Sequence, residues 1–367
     1  KASGDPNPGY TIGSYDYAFA HRRVMTIYCG QSPTYEENQA FASEADPYAA
    51  LHALLDTCLA SDYWRNEVVT RLADPIIRVY DVGTAWKWDQ RLFRYIMADD
   101  RDMRELLTAQ YHVRELNGAL VRVDGIVPIQ QEACDPAVPD ACASDQRCHP
   151  TTTEEQSGEP VVHHCKYIDG GQPLEPMHRA GLMTTAWFHS FHREGGAVVP
   201  RVSAAHVYRM LLGFDVAKQQ GLLGDPETLV DYDNADVTLA PCSPCHGTVD
   251  PMSFPFAYYK SGLEGEASSY DPNRPNELGL WNLEEEPFSA LFANPVTDLV
   301  DLAQQAANSE PFQREITRLF YRHVIGHDPR PEDSAEFIQL WRSLPLDGYS
   351  PRLLHHRIID ATAFGVP

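Results

Sequence analysis

Apolar residues recur at helical spacing along much of the chain. Between residues 46 and 129 they fall three and four positions apart, which predicts amphipathic helices. Asp46 is suited to cap the first of these helices, and Pro47 is suited to its first turn. A second helix is predicted to begin after Ser61, and a third is predicted over residues 99–113.

Helical spacing returns after residue 171. Ser203 is predicted to cap a helix that ends at Gly213. Further helices are predicted over residues 296–309, 310–326 and 350–364, with a shorter one through Phe337 and Trp341. Because no internal repeat and no alternation of strands with helices is visible, the predicted fold class is mainly α-helical.

Two segments depart from the helical pattern. Residues 1–45 contain few periodic apolar positions and are predicted to form an extended N-terminal segment. Residues 130–170 are rich in turn formers and almost lack aliphatic side chains. The chain therefore divides into four parts, of which 46–129 and 171–367 are the helical domains.

The chain carries a large negative charge. Its 367 residues include 29 Lys and Arg against 52 Asp and Glu, a formal charge of −23. Such a surface repels nucleic acid and anionic membranes, so the expected partner is a protein with a basic surface. No run of 18 apolar residues occurs, and no membrane span is expected.

The first residues indicate export. The sequence starts at Lys1 with the polar stretch KASGDPNPGY, which is typical of the region behind a removed signal segment. A periplasmic, extracellular or cell-surface location is therefore expected.

Six of the eight cysteines are disulfide candidates. Cys134, Cys142, Cys148 and Cys165 lie in the 130–170 insert, which cannot stabilise itself by burial and is predicted to be stapled by two bridges in one of three pairings. Cys29 and Cys58 are available for a third bridge. The alternative is a zinc site formed with the neighbouring histidines, His149, His163 and His164, although the spacing fits no common zinc pattern.

The remaining two cysteines belong to the sequence Cys242-Ser-Pro-Cys245-His246. This spacing is typical of covalent haem attachment, in which two thiols add to the haem vinyl groups and the adjacent histidine binds the iron. A redox dithiol is the first alternative, but it needs a preceding buried strand, which the sequence lacks. A zinc site is the second, but no second cysteine or histidine pair follows. We therefore predict one haem c.

The order of motifs resembles a group of large exported cytochrome-c-like proteins of planctomycetes and myxobacteria. The resemblance rests on RELLTAQYHVRE (104–115), HRAGLMT (178–184), VYRMLLG (207–213), CSPCHGTVDPMSF (242–254) and FYRHVIGHDPRPEDSAEF (320–337). It implies a cytochrome-c-like haem region within residues 171–367. The family often has arginine and glycine where this chain has Ser203 and Ala204, and a glycine in place of Ser253, so Arg201 is the nearest substitute for the family arginine.

The second axial position of the iron determines the function. A protein ligand there indicates an electron carrier, whereas an open position permits peroxide or oxygen chemistry. His192, followed by a glycine-containing stretch, is the preferred distal candidate. The alternatives are Met183, His189 and Met252, with His323, His327 and His355 behind them. Each of these side chains also has an ordinary explanation as a packed or hydrogen-bonded residue.

The sequence favours an exported monohaem c-type cytochrome that transfers single electrons to a basic redox partner. An enzyme of the peroxidase or oxygenase type, with an open distal site, is the first alternative. The second is a haem-bearing structural subunit of an extracellular assembly. An electron carrier is favoured over an enzyme because only one haem motif is present.

Overall fold

The computed structural model describes most of the chain. Its described residues are 14–77, 88–128, 130–138, 141–142, 146–150, 163–167, 172–185, 188–189, 192, 199–216, 218, 231, 236–239, 241–260, 269–277 and 287–366. Residues 1–13, the first part of the predicted extended N-terminal segment, lie outside the described residues.

Helices dominate the described residues, which confirms the predicted fold class. In chain order they are α1 (Tyr17–Ile27), α2 (Tyr35–Ala42), α3 (Pro47–Leu59), a π-helical turn (Trp64–Val68) that continues into α4 (Val69–Ala73), α5 (Trp88–Ala98), α6 (Glu105–Thr108), α7 (Arg201–Leu211), α8 (Ser243–Ser253), α9 (Arg274–Glu277), α10 (Leu299–Ala307), α11 (Glu310–Ile325), α12 (Ser334–Ser343), α13 (Pro351–Ile359) and α14 (Thr362–Gly365).

Short strands and 3-10 turns lie between these helices. The strands are β1 (His112–Leu116), β2 (Ala119–Val123), β3 (Gln130–Ala133), β4 (Gln146–Pro150), β5 (His163–Tyr167), β6 (Tyr259–Lys260), β7 (Ser269–Tyr270), β8 (Ala290–Leu291) and β9 (Asn294–Pro295). The 3-10 turns are Pro176–His178, Gly181–Thr184, Phe254–Tyr258 and Pro331–Asp333. All paired strands described are antiparallel.

The chain forms two compact units, each assembled from separate segments. Unit 1 comprises Lys1–Asp74, Met97–Met103 and Ile316–Pro367, and unit 2 comprises Pro75–Ile96 and Arg104–Glu315. The borders of these units differ from the boundaries expected near residues 45, 130 and 170, because the C-terminal helices belong to the same unit as the first helices.

The predicted helix caps are present in unit 1. The Asp46 carboxylate accepts a hydrogen bond from the Ala49 N–H at 3.0 Å. The Ser61 hydroxyl accepts one from the Trp64 N–H at 3.2 Å. These side chains satisfy amide groups that a helix start leaves without a partner, which is why the chain turns into a helix at both points.

Residues 17–42 are largely helical, which corrects the expectation of an extended segment. Asp16 caps α1 through its carboxylate, which accepts hydrogen bonds from the amides of Ala18 and Phe19. The residues Ala20, Val24 and Tyr28, four positions apart, are fully buried. Three apolar positions at this spacing are enough to hold α1 in the core, although they form too sparse a pattern to stand out in the sequence.

The helix predicted over residues 99–113 is mostly absent. Only α6 is helical there, and the chain then forms the hairpin of β1 and β2. Asn117 and Gly118 have φ values of 51° and 79°, the conformation of a tight two-residue hairpin turn. An Asn-Gly pair is typical of this turn, but the sequence analysis did not use it, and its turn preference outweighs the helical spacing before it.

The helix after Pro200 begins earlier than predicted. Its first residue is Arg201, so Ser203 lies in the first turn of α7 rather than at its cap. The Ser203 hydroxyl instead donates a hydrogen bond to the carbonyl of His192 at 2.8 Å. The predicted end is confirmed, because Gly213 follows α7 with a φ of 71°.

Three disulfides account for the six predicted cysteines. Cys29 pairs with Cys58, Cys134 with Cys148, and Cys142 with Cys165. The last two bridges staple the antiparallel sheet of β3, β5 and β4, and they occupy the sulfur atoms that a zinc site in the insert would need. Disulfides persist in oxidising compartments, and three of them indicate a location outside the cytoplasm.

No helix among the described residues has the length and apolar character needed to cross a bilayer.

Arg179 organises the loops of unit 2. Its side chain is almost fully buried and donates hydrogen bonds to the carbonyls of Leu174, Gly125, Gln110 and Gln172. Burial lowers the pKa of the guanidinium only from a very high value, so its positive charge is kept. One buried cation thus joins four backbone carbonyls from separate parts of unit 2.

Gly181 lets the segment after Arg179 pass close to another backbone. Its φ is 49°, its N–H donates to the Ala109 carbonyl at 3.0 Å, and a Cβ at this position would clash with the Leu106 carbonyl. Thr184 closes the turn, because its hydroxyl accepts a hydrogen bond from the Ala180 N–H at 2.9 Å. The stretch from Arg179 to Thr184 is therefore fixed by backbone contacts.

Replacing Gly181 by alanine is expected to destabilise the protein much more than the same change at Gly118. Both residues have positive φ, which costs about 1–2 kcal/mol for alanine. Gly118 has open space around it, whereas Gly181 lies against Leu106, which raises the expected cost to about 3 kcal/mol or more. Denaturant unfolding of Gly181→Ala and of Gly118→Ala measures the difference, and equal losses would contradict the close approach.

Candidate functional site

The cysteine-histidine motif forms the first turn of α8. The Cys242 carbonyl accepts hydrogen bonds from the amides of Cys245 and His246, each at 3.1 Å. Positions three and four residues apart lie on one face of a helix. Both thiols and the imidazole therefore project to the same side of α8, which is the arrangement that attachment to one flat cofactor needs.

The two thiols of the motif are not joined in a disulfide. Cys242 is exposed and Cys245 is half-buried, while the other six cysteines are all paired. The Cys245 thiol lies 3.7 Å from the Val216 carbonyl, which accepts its weak hydrogen bond. The chain thus keeps two adjacent thiols available for covalent chemistry.

His246 is held by a carboxylate one helical turn away. Its Nδ1 atom lies 3.1 Å from Oδ1 of Asp250, and its side chain is 26% exposed. An ionised carboxylate only accepts hydrogen bonds, so Nδ1 carries the proton and Nε2 presents a lone pair. A carboxylate behind the ring in this way orients a metal-binding histidine and makes it more basic.

Asp250 is itself paired with an arginine. Its side chain is 0% exposed, and Arg201 donates to it twice, from Nε to Oδ1 at 2.7 Å and from Nη2 to Oδ2 at 3.0 Å. The bidentate pair supplies the buried carboxylate with a cation and two hydrogen-bond donors. Since Arg201 is the first residue of α7, the pair also ties the start of that helix to α8.

His192 contacts α7. Its carbonyl accepts the hydrogen bond of Ser203, and its ring centre lies 3.9 Å from that of His206. Burial, and then the charge of His206, lower the pKa of His192 to about 3. The imidazole is therefore neutral at neutral pH, the form in which it can bind a metal. The first turn of α7 thus contacts both His192 and the partner of His246.

His189 is the most enclosed of the distal candidates in this region. It is 2% exposed, and its ring lies parallel to that of Tyr259 with the centres 5.6 Å apart. Among the described residues its Nε2 atom has no hydrogen-bond partner. Burial, and then the charges of Arg274 and His192, lower its pKa to about 3. A neutral imidazole with a buried, unpaired nitrogen fits the chemistry of an axial ligand.

The two methionine candidates are core residues. Met183 and Met252 are both fully buried. Met252 follows His246 by six residues on the same helix, which rotates it to another face of α8. That placement argues against Met252 as a ligand on the side of the haem opposite His246.

The three candidates from the C-terminal helices lie in unit 1. The Nδ1 atom of His355 is 3.0 Å from the hydroxyl of Tyr28, and its ring packs against Trp64 and Phe320. His323 has a pKa lowered by burial, and His327 donates to the Asp328 carbonyl at 2.8 Å. These contacts give His355 and His327 a structural explanation within unit 1.

The rival interpretations of the motif gain no support from the described residues. Cys242, Cys245 and His246 are not part of a described group of three or more side chains able to hold one metal ion. The described residues before Cys242, 236–239 and 241, form turns rather than the strand that a thioredoxin-like dithiol follows. The donor set of two free thiols and one oriented imidazole fits haem c best.

Comparison with models of known protein families, with characterised proteins and with solved structures finds no match. The resemblance to exported cytochrome-c-like proteins therefore stays a prediction, and the residues of the site carry the functional argument.

The pairing of Asp250 with His246 is the functional contact that the sequence analysis missed. The signal for it was the His-x-x-x-Asp spacing in CSPCHGTVD, which places the two side chains together if the segment is a helix. The sequence identifies Arg201 only as a substitute for a family arginine, whereas the structure shows it bonded to Asp250 across α7 and α8.

Removing the guanidinium of Arg201 is expected to leave a buried carboxylate without a cation. Arg201→Gln should therefore lower the free energy of unfolding by about 3–5 kcal/mol. Adding Asp250→Asn to that variant should restore part of the loss, because the buried charge is then removed as well. Chemical denaturation of the two single variants and the double variant measures this coupling.

Arg209 provides the matched control for this cycle. It lies on the same helix, but its ion pair with Asp215 is longer, at 3.7 Å, and its side chain is 53% exposed. Arg209→Gln should cost less than about 1 kcal/mol. Strictly additive effects of Arg201→Gln and Asp250→Asn would contradict the proposed buried pair.

Proposed function

We propose that this protein is an exported c-type cytochrome that carries one haem and transfers single electrons to a redox partner. The observation that carries the proposal is the first turn of α8, where two unpaired thiols and an imidazole oriented by Asp250 share one helix face. Every other cysteine is used in a disulfide, which leaves this pair as the exception that needs a chemical explanation.

Each residue of the site has a distinct role in this proposal. Cys242 and Cys245 would hold the porphyrin through thioether bonds, and His246 would present Nε2 to the iron. Asp250 fixes the orientation of the imidazole, while Arg201 supplies the cation that the buried Asp250 needs. When bound, haem c supplies an iron that changes its oxidation state by one electron.

A second protein ligand to the iron would come from the stretch that contains His189 and His192. His192 is the preferred candidate, because its carbonyl is bonded to Ser203 of α7, the helix whose Arg201 pairs with Asp250 of α8. His189 is the alternative, because its Nε2 has no partner among the described residues. Both imidazoles are neutral at neutral pH, so either is able to bind iron without first losing a proton.

The compartment and partner follow from charge and cysteine pairing. Three disulfides fit a periplasmic, extracellular or cell-surface location. The formal charge of −23 favours encounter with a basic redox protein, at a rate that salt reduces by screening.

One observation favours a second function, a haem enzyme of the peroxidase or oxygenase type. A buried carboxylate paired with the proximal imidazole makes that ligand a stronger electron donor, and electron donation to the iron promotes cleavage of an O–O bond. The two functions differ in whether the distal position is closed by a protein ligand or open to substrate.

Covalent haem attachment is expected when the chain is exported into a periplasm with a cytochrome c maturation system. The purified protein should keep its haem stain after denaturing electrophoresis. Replacing both Cys242 and Cys245 by serine should abolish the stain, because no thioether bond can form. Ser243→Ala, a change between the two cysteines, is the matched control and should retain it. A colourless wild-type protein would contradict the proposal.

The distal ligand is tested by the response to carbon monoxide. If His192 closes the site, the absorption bands of the reduced wild-type protein should not change under carbon monoxide. His192→Ala should give a high-spin spectrum and bind carbon monoxide readily. His189→Ala is the matched variant and should keep the wild-type spectrum. A shift in His189→Ala alone would assign the ligand to His189, and ready binding by the wild type would favour the enzyme.

A further inference from the structure

Two histidines of unit 1 face each other across the helices α3 and α13. The Nδ1 atoms of His52 and His356 lie 2.6 Å apart. The ring planes differ by 9°, and the ring centres are 4.8 Å apart. Because the ring centres are much farther apart than the Nδ1 atoms, the two rings meet edge to edge with these nitrogens toward each other.

A carboxylate holds the outer nitrogen of each ring. His52 Nε2 lies 2.8 Å from Oδ1 of Asp360, and His356 Nε2 lies 2.7 Å from Oδ1 of Asp56. The two helices thus exchange partners, since each histidine bonds to the aspartate of the other helix. Arg352 donates to Asp56 at 2.8 Å, and its hydrogen bond, followed by that of His356, lowers the pKa of Asp56.

These contacts fix the proton on the outer side of both rings. Ionised carboxylates accept hydrogen bonds, so the Nε2 atoms of His52 and His356 are the donors. In a neutral imidazole the other nitrogen then carries a lone pair. Two lone pairs that face each other at 2.6 Å repel, and a positively charged species between them removes the repulsion.

We propose that His52 and His356 bind a divalent late first-row transition metal, such as copper or zinc, through their Nδ1 atoms. A carboxylate on the opposite ring nitrogen is the usual companion of a metal-binding histidine, and here both rings have one. Imidazole suits these metals. Binding at about 2.0–2.1 Å from each nitrogen requires the two Nδ1 atoms to move apart to about 2.9–3.4 Å, depending on the coordination angle, which a rotation of the rings provides.

The site is open enough for a metal to enter and for water to complete its coordination. The side chains of His52 and His356 are 18% and 16% exposed. Tyr48 lies at the edge, with its ring centre 4.3 Å from that of His52 and its hydroxyl donating to Asp360 at 3.4 Å. A metal there would crosslink the middle of α3 to α13, which would stabilise unit 1 without any contribution from the site on α8.

The test uses the purified full chain with its accessible thiols blocked and bound metals removed by a chelator. Titration with Cu²⁺, followed by electron paramagnetic resonance, should give one tight equivalent with the hyperfine pattern of two nitrogen donors. His52→Gln and His356→Gln should each abolish this signal. Asp360→Asn should weaken binding about 10–100-fold, since it removes only the partner of the ligand.

His327→Ala is the matched control, because His327 is a half-buried histidine of the same unit whose hydrogen bond goes to a backbone carbonyl. It should bind copper as the wild type does. Circular dichroism confirms that each variant is folded. The proposal is overturned if His52→Gln and His356→Gln bind the tight equivalent unchanged. It is also overturned if the wild type takes up no tight copper and ¹⁵N resonance finds a proton shared by the two nitrogens.

Discussion

The buried ion pair of Arg201 and Asp250 is the interaction on which the functional site depends. A carboxylate with no exposed surface is costly unless a cation is bonded to it, and the bidentate arginine supplies that cation. The same carboxylate accepts the hydrogen bond of His246. One pair therefore joins α7 to α8, fixes the tautomer of the imidazole and leaves its Nε2 atom for a ligand.

A second buried arginine, Arg179, has a different structural role. Arg179 contacts no carboxylate in its set of hydrogen bonds and instead joins the carbonyls of several loops. Gly181 follows it because only a residue without a side chain can pass so close to Leu106. The segment from Arg179 to Thr184 is thus fixed by hydrogen bonds and close packing.

The sequence was most informative at two helix starts, where a side chain bonds to its own local backbone. Asp46 and Ser61 were recognised as caps because a capping side chain bonds to amides three residues away. The hairpin turn at Asn117 was overlooked, although its signal is equally local, because the helical spacing around it was given more weight. The sequence leaves the pairing of the four insert cysteines open, because their connectivity depends on the sheet. There Cys148 and Cys165 lie opposite each other on β4 and β5, yet each is bonded to a different cysteine. The bond of Arg201 to Asp250 spans 49 positions, and no local pattern encodes it.

The spacing His-x-x-x-Asp occurs at His246, at His52 and at His356, and the outcome depends on which helix supplies the carboxylate. On α8 the aspartate of the same helix bonds to Nδ1, so Nε2, the nitrogen farther from the backbone, is left to reach a bulky ligand. On α3 and α13 the aspartate of the other helix bonds to Nε2. The Nδ1 atoms then remain, close to their backbones, and they can meet only because the two helices pack side by side. The same local motif thus leaves Nε2 available at one site and Nδ1 available at the other.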